Sequence, residues 1–154
     1  MKQTYLLEIL KELSNSNSVI RNCIQTNKVF RDLKCRPKIF QKTRWLGAIN
    51  LLLSTKRAYD KEAFEKSEIE CPVDYDTIEI YIQILLQPYF TTLGWEKNQS
   101  SIADVIPSVL FLIYAWNKME IEDFKAKELC FFLIHFIREK FRYELESPIY
   151  QVST

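Results

Sequence analysis

An all-α fold, an irregular bundle of about six helices, is what this sequence predicts, and three observations carry that expectation. Apolar residues make up 47% of the 154 and aromatic residues 14%, enough for a substantial core. Two glycines and five prolines are too few for the many tight turns of an all-β chain. Apolar positions also recur at three- and four-residue steps along most of the length. A chain of this size fits one domain or a piece of a larger protein, and residues 1–154 are read as a single helical domain.

Taken in order, Thr4 to Leu13 places Tyr5, Leu6, Ile9, Leu10 and Leu13 at helical spacing. Ser14-Asn-Ser-Asn-Ser18 is expected to end that helix, because serine and asparagine favour caps and turns. A second helix, amphipathic and basic, spans about Val19 to Leu33 with Ile20, Cys23, Ile24, Val29 and Phe30 on its stripe. Pro37 stops it or follows its end, which leaves Lys38 to Lys42 extended or irregular. Thr43 is the expected N-cap of a third helix, with Leu46, Ile49, Leu52 and Leu53 behind it, running to about Phe64.

The acidic stretch Glu65 to Tyr75, interrupted by Pro72, reads as a surface loop. Asp76 and Glu79 have capping-box spacing and open a helix that buries Ile80, Tyr81, Ile84 and Leu85, with Pro88 expected to kink or end it. Gly94 and Lys97 to Ser101 mark a further break, and Ser101 with Asp104 repeats the capping-box pattern, Pro107 following in the first turn or just after. The run to Trp116 is apolar on nearly every side, which predicts a central helix. The last helix, from Ile121 or Phe124 to Leu145, has an apolar middle in which His135 is read as a core residue, and Ser147-Pro148 closes it.

The formal charge of +1 hides two opposed blocks. Arg21 to Arg57 holds ten cations against the single anion Asp32, a local +9, and Ala58 to Ile80 holds two cations against eight anions, a local −6. A basic block of that density is the footprint of a polyanionic partner, or else an uneven solvated surface.

Chemistry is thinly represented. Cys23, Cys35, Cys71 and Cys130 are scattered without a C-x-x-C pair and His135 is the only histidine, so no zinc site is expected. The carboxylates Asp74, Asp76, Glu120, Glu122 and Asp123 fall in loops or at helix starts, where the helix dipole favours acids for structural reasons. No nucleophile elbow and no glycine-rich phosphate loop is present, so no catalytic residue and no cofactor is assigned. Unpaired thiols without a signal peptide fit a reducing interior, and the longest apolar runs, Val105 to Trp116 and Leu129 to Ile137, are shorter than the ~20 residues that span a bilayer. A soluble intracellular protein is expected, with no membrane and no small-molecule substrate as partner.

The candidate site is Lys38-Ile-Phe-Gln-Lys-Thr-Arg-Trp45. A tryptophan at the start of an amphipathic helix serves as a core or staple residue, or as a platform on which a base stacks. Arg44 beside it, with Lys38 and Lys42 upstream, favours the second role, because cations and ring converge on one helix end. Trp95 and Trp116 have no such neighbours and are assigned to the core.

Thr43-Arg-Trp45 opening a helix, then Leu86-Gln-Pro-Tyr-Phe-Thr-Thr-Leu93, Ile102-Ala-Asp-Val-Ile-Pro107, Lys140-Phe-Arg142 and Ile149-Tyr-Gln-Val-Ser-Thr154, resembles in order and spacing the hAT-superfamily transposases and the BED-finger host proteins derived from them. The resemblance covers roughly Val19 to Thr154. It implies the helical domain inserted into an RNase H-like core, with the BED finger, the catalytic acids and the C-terminal dimerisation region all outside this chain, and hence a fragment without catalysis of its own. It further implies a DNA contact in which Trp45 matches a tryptophan that stacks on an unpaired base and Arg44 is its phosphate partner. Together with the basic block this places the expected contact on the face carrying Arg36, Lys38, Lys42, Arg44 and Trp45, in a protein expected in the nucleus. Family members carry a proline before the motif and Asn-Ser after it, where this chain has Lys42, Leu46 and Gly47. The alternative is a helical scaffold that pairs with another protein or with a second copy of itself.

Overall fold

The computed structural model describes residues 5–40, 46–97 and 101–147. Among the described residues 80% are helical and there is no strand. Among the described residues eight helices follow one another: α1 (Tyr5–Asn22), α2 (Ile24–Asp32), α3 (Leu46–Asp60), α4 (Ala63–Lys66), α5 (Tyr75–Lys97), α6 (Ile102–Lys118), α7 (Phe124–Lys140) and α8 (Arg142–Glu146). Six have seven residues or more. Packing divides the chain into two compact units, Met1–Gln83 and Ile84–Thr154, with the division falling inside α5.

In the first unit α1 packs on α2 and α3, and α4 closes on both α2 and α3. Ile9, Leu10, Leu13 and Ile20 of α1 and Ile49, Leu51 and Leu52 of α3 are fully buried, as their spacing requires. A second cluster gathers Ile20, Phe30, Cys35, Ala58, Ala63 and Phe64, in which the Phe30 and Phe64 rings meet edge to face at 5.4 Å. Both α2 and α4 end with a residue in the left-handed region, Lys34 and Glu68, each with φ 55°. Cys35 N–H donates to Phe30 O and Lys34 N–H to Arg31 O, and Ile69 to Phe64 and Glu68 to Glu65 repeat the pattern, so two Schellman motifs satisfy the terminal carbonyls.

Several boundaries differ from the sequence expectation. Ser14 to Ser18 does not end α1, which continues to Asn22, because Ser14 and Asn17 bond to a distant segment instead of capping their own helix. The break comes at Cys23, whose extended ψ of 116° separates α1 from α2. Lys61-Glu62 interrupts the third helix before Phe64, Glu62 taking φ 55°. The N-cap of α5 is Asp74, whose carboxylate accepts from Thr77 N–H at 2.9 Å and from Thr77 Oγ1 at 2.8 Å, and Asp76 already lies within the helix. Thr43 lies outside the described residues.

In the second unit α6 packs on α7, and α7 on α8. Asp104 accepts from Ser101 N–H at 2.9 Å, the capping box expected there, and Asp123 caps α7 by accepting from Ala126 N–H at 2.7 Å. Pro88 does not end α5, which runs on to Lys97, and Pro107 sits in the second turn of α6. Trp116 is buried, whereas Trp95 is only half-buried.

Two expectations about covered faces fail here. Ile106, Val109, Leu112, Ile113 and Trp116 bury one side of α6, yet Leu110, Phe111 and Tyr114 are exposed, so that helix is not enclosed all round. On α7, His135 is exposed rather than a core residue, and Phe131, Phe132 and Phe136 flank it on the uncovered side. Apolar composition set the expectation, but only Ala126, Leu129, Cys130 and Ile134 face the packed side. No helix among the described residues is long and apolar enough to cross a membrane.

Candidate nucleic-acid interface

Between α2 and α3 the chain runs without helix from Cys35 to Phe40. Pro37 sits buried in the middle of this strap, its ring fixing φ and excluding a helical turn before it. Three contacts fasten the strap to helices. Asn17 Nδ2 donates to Lys38 O at 2.8 Å, Phe40 N–H donates to Ser14 Oγ at 3.1 Å, and Lys38 N–H reaches Ser54 Oγ at 3.4 Å. Ser54 in turn donates its hydroxyl proton to Leu51 O at 2.9 Å. Backbone groups that would otherwise be unpaired are satisfied, and the side chains of Arg36 and Lys38 are left in solvent.

Arg36 and Lys38 therefore lie together on one exposed segment. Lys42, Arg44 and Trp45, the other three residues assigned to this site, lie outside the described residues. What the sequence reading did not single out is the company the first two keep: Arg31 from the end of α2, Lys34 at its Schellman turn and Arg57 from α3 share with them a cleft of about 380 Å³, whose remaining lining is Cys35 and Ser54. Among the described residues no carboxylate lines it. Charge density marked Arg31, Lys34 and Arg57 as members of the basic block, but their convergence depends on α3 crossing next to the strap.

Not every cation of the block is free to act. Lys56 is drawn to Asp60 at 3.6 Å and Glu79 at 3.8 Å and lies over the Tyr75 ring at 5.1 Å, with the Tyr75 hydroxyl foremost in raising its pKa. Just beyond the block, Lys61 donates to Leu33 O at 2.7 Å, which ties the end of α2 to the α3–α4 turn. Cys35, at the wall of the cleft, has its thiol pushed up by burial, against an opposing pull from the charges of Lys61 and Arg57.

The acidic block has its own place in the first unit. Glu65, Glu68, Glu70 and Asp74 border a hollow floored by Tyr59, Phe64 and Ile69, and Tyr59 donates to Val73 O at 2.6 Å. Among the described residues, no three His, Cys, Asp or Glu side chains are arranged to hold a metal ion. Comparison of the chain with protein-family models, with curated proteins and with solved structures finds no match.

Proposed function

We propose that the chain is a non-catalytic, nuclear nucleic-acid-binding domain of the hAT-transposase type, holding DNA by its phosphates through the surface that begins at Arg36 and Lys38 and continues to Lys42, Arg44 and Trp45. The observation that carries this reading is the exposed strap: two cations presented on a segment tethered at three points, beside three further cations and, among the described lining residues, no acid. Phosphate contacts position a protein on nucleic acid without reading its sequence, and they make affinity fall steeply with salt. Trp45 is assigned to base stacking next to that phosphate track.

The test is fluorescence anisotropy with labelled single-stranded and hairpin DNA across a salt series, on the parent chain and on R36A/K38A and R44A/W45A. Both double variants should weaken binding, and the first should flatten the salt dependence by about two phosphate contacts. Parent protein without affinity at low salt, or variants that bind equally well, would remove this reading.

A second reading, a protein-interaction scaffold, is favoured by the uncovered aromatic faces of α6 and α7. Phe111 and Phe131 are 56% and 61% exposed, and Phe132 stacks on Phe136 with ring centroids 6.3 Å apart. Exposed apolar groups clustered this way are a property of association surfaces. Sedimentation separates the two: a stable oligomer that F132S/F136S dissolves, without salt-sensitive DNA binding, selects the scaffold.

A further inference from the structure

We propose that the cleft between α2, the strap and α3 is a binding site for a compact polyphosphate anion, the chemistry shared by the phosphate tail of a nucleotide and a phosphorylated cyclitol. The proposal goes beyond the nucleic-acid reading and stands without it.

Three properties of the cleft carry the argument. First, its described charged lining is all cationic: Arg31, Lys34, Arg36, Lys38 and Arg57 line it, and none of the five is ion-paired among the described residues, although Lys34 also borders a neighbouring hollow with Asp32, Asp60 and Glu62. Like charges gathered on one concavity repel, and low-dielectric walls focus their field into it. The concavity is therefore a state that an anion relieves. Second, the cations come from three segments, the end of α2, the strap and α3, and line one volume. Cations of separate segments that share one hollow match several charges carried on few atoms. Third, about 380 Å³ lies at the small-ligand end of pocket sizes, too confined for a duplex to enter.

The donors suit phosphoryl oxygens. Two arginines enter from helices, and guanidinium groups bind phosphate through paired hydrogen bonds, while the lysines add point charges. Lys34 is placed by the Schellman turn, with φ 55°, at a position where glycine would be less strained. Arg36 and Lys38 belong to both the cleft lining and the strap, so an anion in the cleft competes with DNA for them.

The experiment is titration of the full chain with sodium tripolyphosphate, followed by calorimetry and thermal melting, with potassium chloride at matched ionic strength as reference. One saturable site and a rise in melting temperature beyond the chloride reference are expected, with R31Q and R57Q each weakening binding by about tenfold or more. K34G relieves the left-handed backbone, so it should melt no lower than the parent and still bind the anion several-fold more weakly. That combination keeps the test decisive even if an arginine variant fails to fold. ATP and inositol hexakisphosphate identify the source: the one that binds more tightly than tripolyphosphate names the rest of the ligand. A shift equal to that of chloride, or K34G and R57Q titrating like the parent, would overturn the proposal. Bound DNA that tripolyphosphate fails to displace would also overturn it while leaving the nucleic-acid reading intact, and saturable anion binding without DNA affinity would do the reverse.

Discussion

The indole Nε1 of Trp116 donates to the carbonyl oxygen of Ile84 at 3.0 Å, and that oxygen is the one left without a helical donor by Pro88. In an unbroken helix residue 88 would supply the N–H, and proline has none. The second unit thus repairs an interruption in α5 from α6, which explains both the burial of Trp116 and the continuation of α5 past the proline.

The coupling is measurable. W116F should destabilise the second unit by about 2–4 kcal/mol, from lost packing and from a buried carbonyl without a partner. P88A restores the backbone donor, so W116F made in that background should cost about 1 kcal/mol less. Urea unfolding followed by circular dichroism on the four proteins gives the cycle. Strict additivity would mean that the indole contributes volume alone.

Asn17 links the fold of the first unit to its site. It is buried at 2% exposure and holds Lys38 by the main chain, 21 residues away. N17A should lower stability by about 1–3 kcal/mol, because Lys38 O loses its donor. It should also weaken DNA binding, although no charge is removed, since the strap that presents Arg36 and Lys38 loses one of its three tethers. Melting and anisotropy on N17A check both effects. Unaltered affinity together with a lowered melting temperature would confine Asn17 to stability.

Asn17 also marks where sequence reasoning stops. Helical periodicity located Ile9, Leu10 and Leu13, and Ile49 with Leu52, because burial of a 3.6-residue stripe leaves a local signature. Ser14 to Ser18 does not terminate α1, because serine and asparagine favour caps only when no partner elsewhere claims them, and Ser14 and Asn17 find their partners in the strap. The same limit applies at the site. Arg36 and Lys38 stood out by charge density, while Arg31 and Arg57 join them only through packing. Apolar composition does not say which side of α7 is covered, and His135, amid that apolar run, lies on the exposed side.

Asp74 gives a pH-dependent prediction. Hydrogen bonds from the Thr77 backbone and then its hydroxyl hold this carboxyl below its usual range, despite a small opposing effect of burial. A depressed folded-state value stabilises the protein at pH above the unfolded value, about 4, and that stabilisation is lost as the pH falls through the folded value. D74A should therefore cost about 0.5–2 kcal/mol near neutrality and progressively less in acid. D74N keeps a capping oxygen that does not titrate, so its stability difference from D74A should persist at low pH. Denaturant melts at pH 7 and pH 3 decide it, and a D74A deficit that does not shrink in acid would show that the charge of Asp74 plays no part.

The cysteines report independently on which surfaces are covered. Cys23 is exposed and accepts a hydrogen bond from Thr26 Oγ1 at 3.3 Å, and that hydroxyl is the first cause lowering its thiol pKa. Cys130 is buried on the packed side of α7, and desolvation pushes its thiol up to about 11. Thiolate is the reacting species, so both exposure and ionisation favour Cys23. At pH 8 an aromatic disulfide reagent should modify Cys23 within minutes, while Cys130 stays unmodified until denaturant opens the second unit. T26V removes the hydroxyl donor without uncovering the thiol, and it should slow Cys23 below its parent rate at pH near or below the unperturbed thiol value. Peptide mapping by mass spectrometry assigns each modified position. Fast native-state modification of Cys130 would mean that the face of α7 carrying Ala126, Leu129 and Ile134 is not held closed, and with it the packing of α6 on α7 would have to be redrawn.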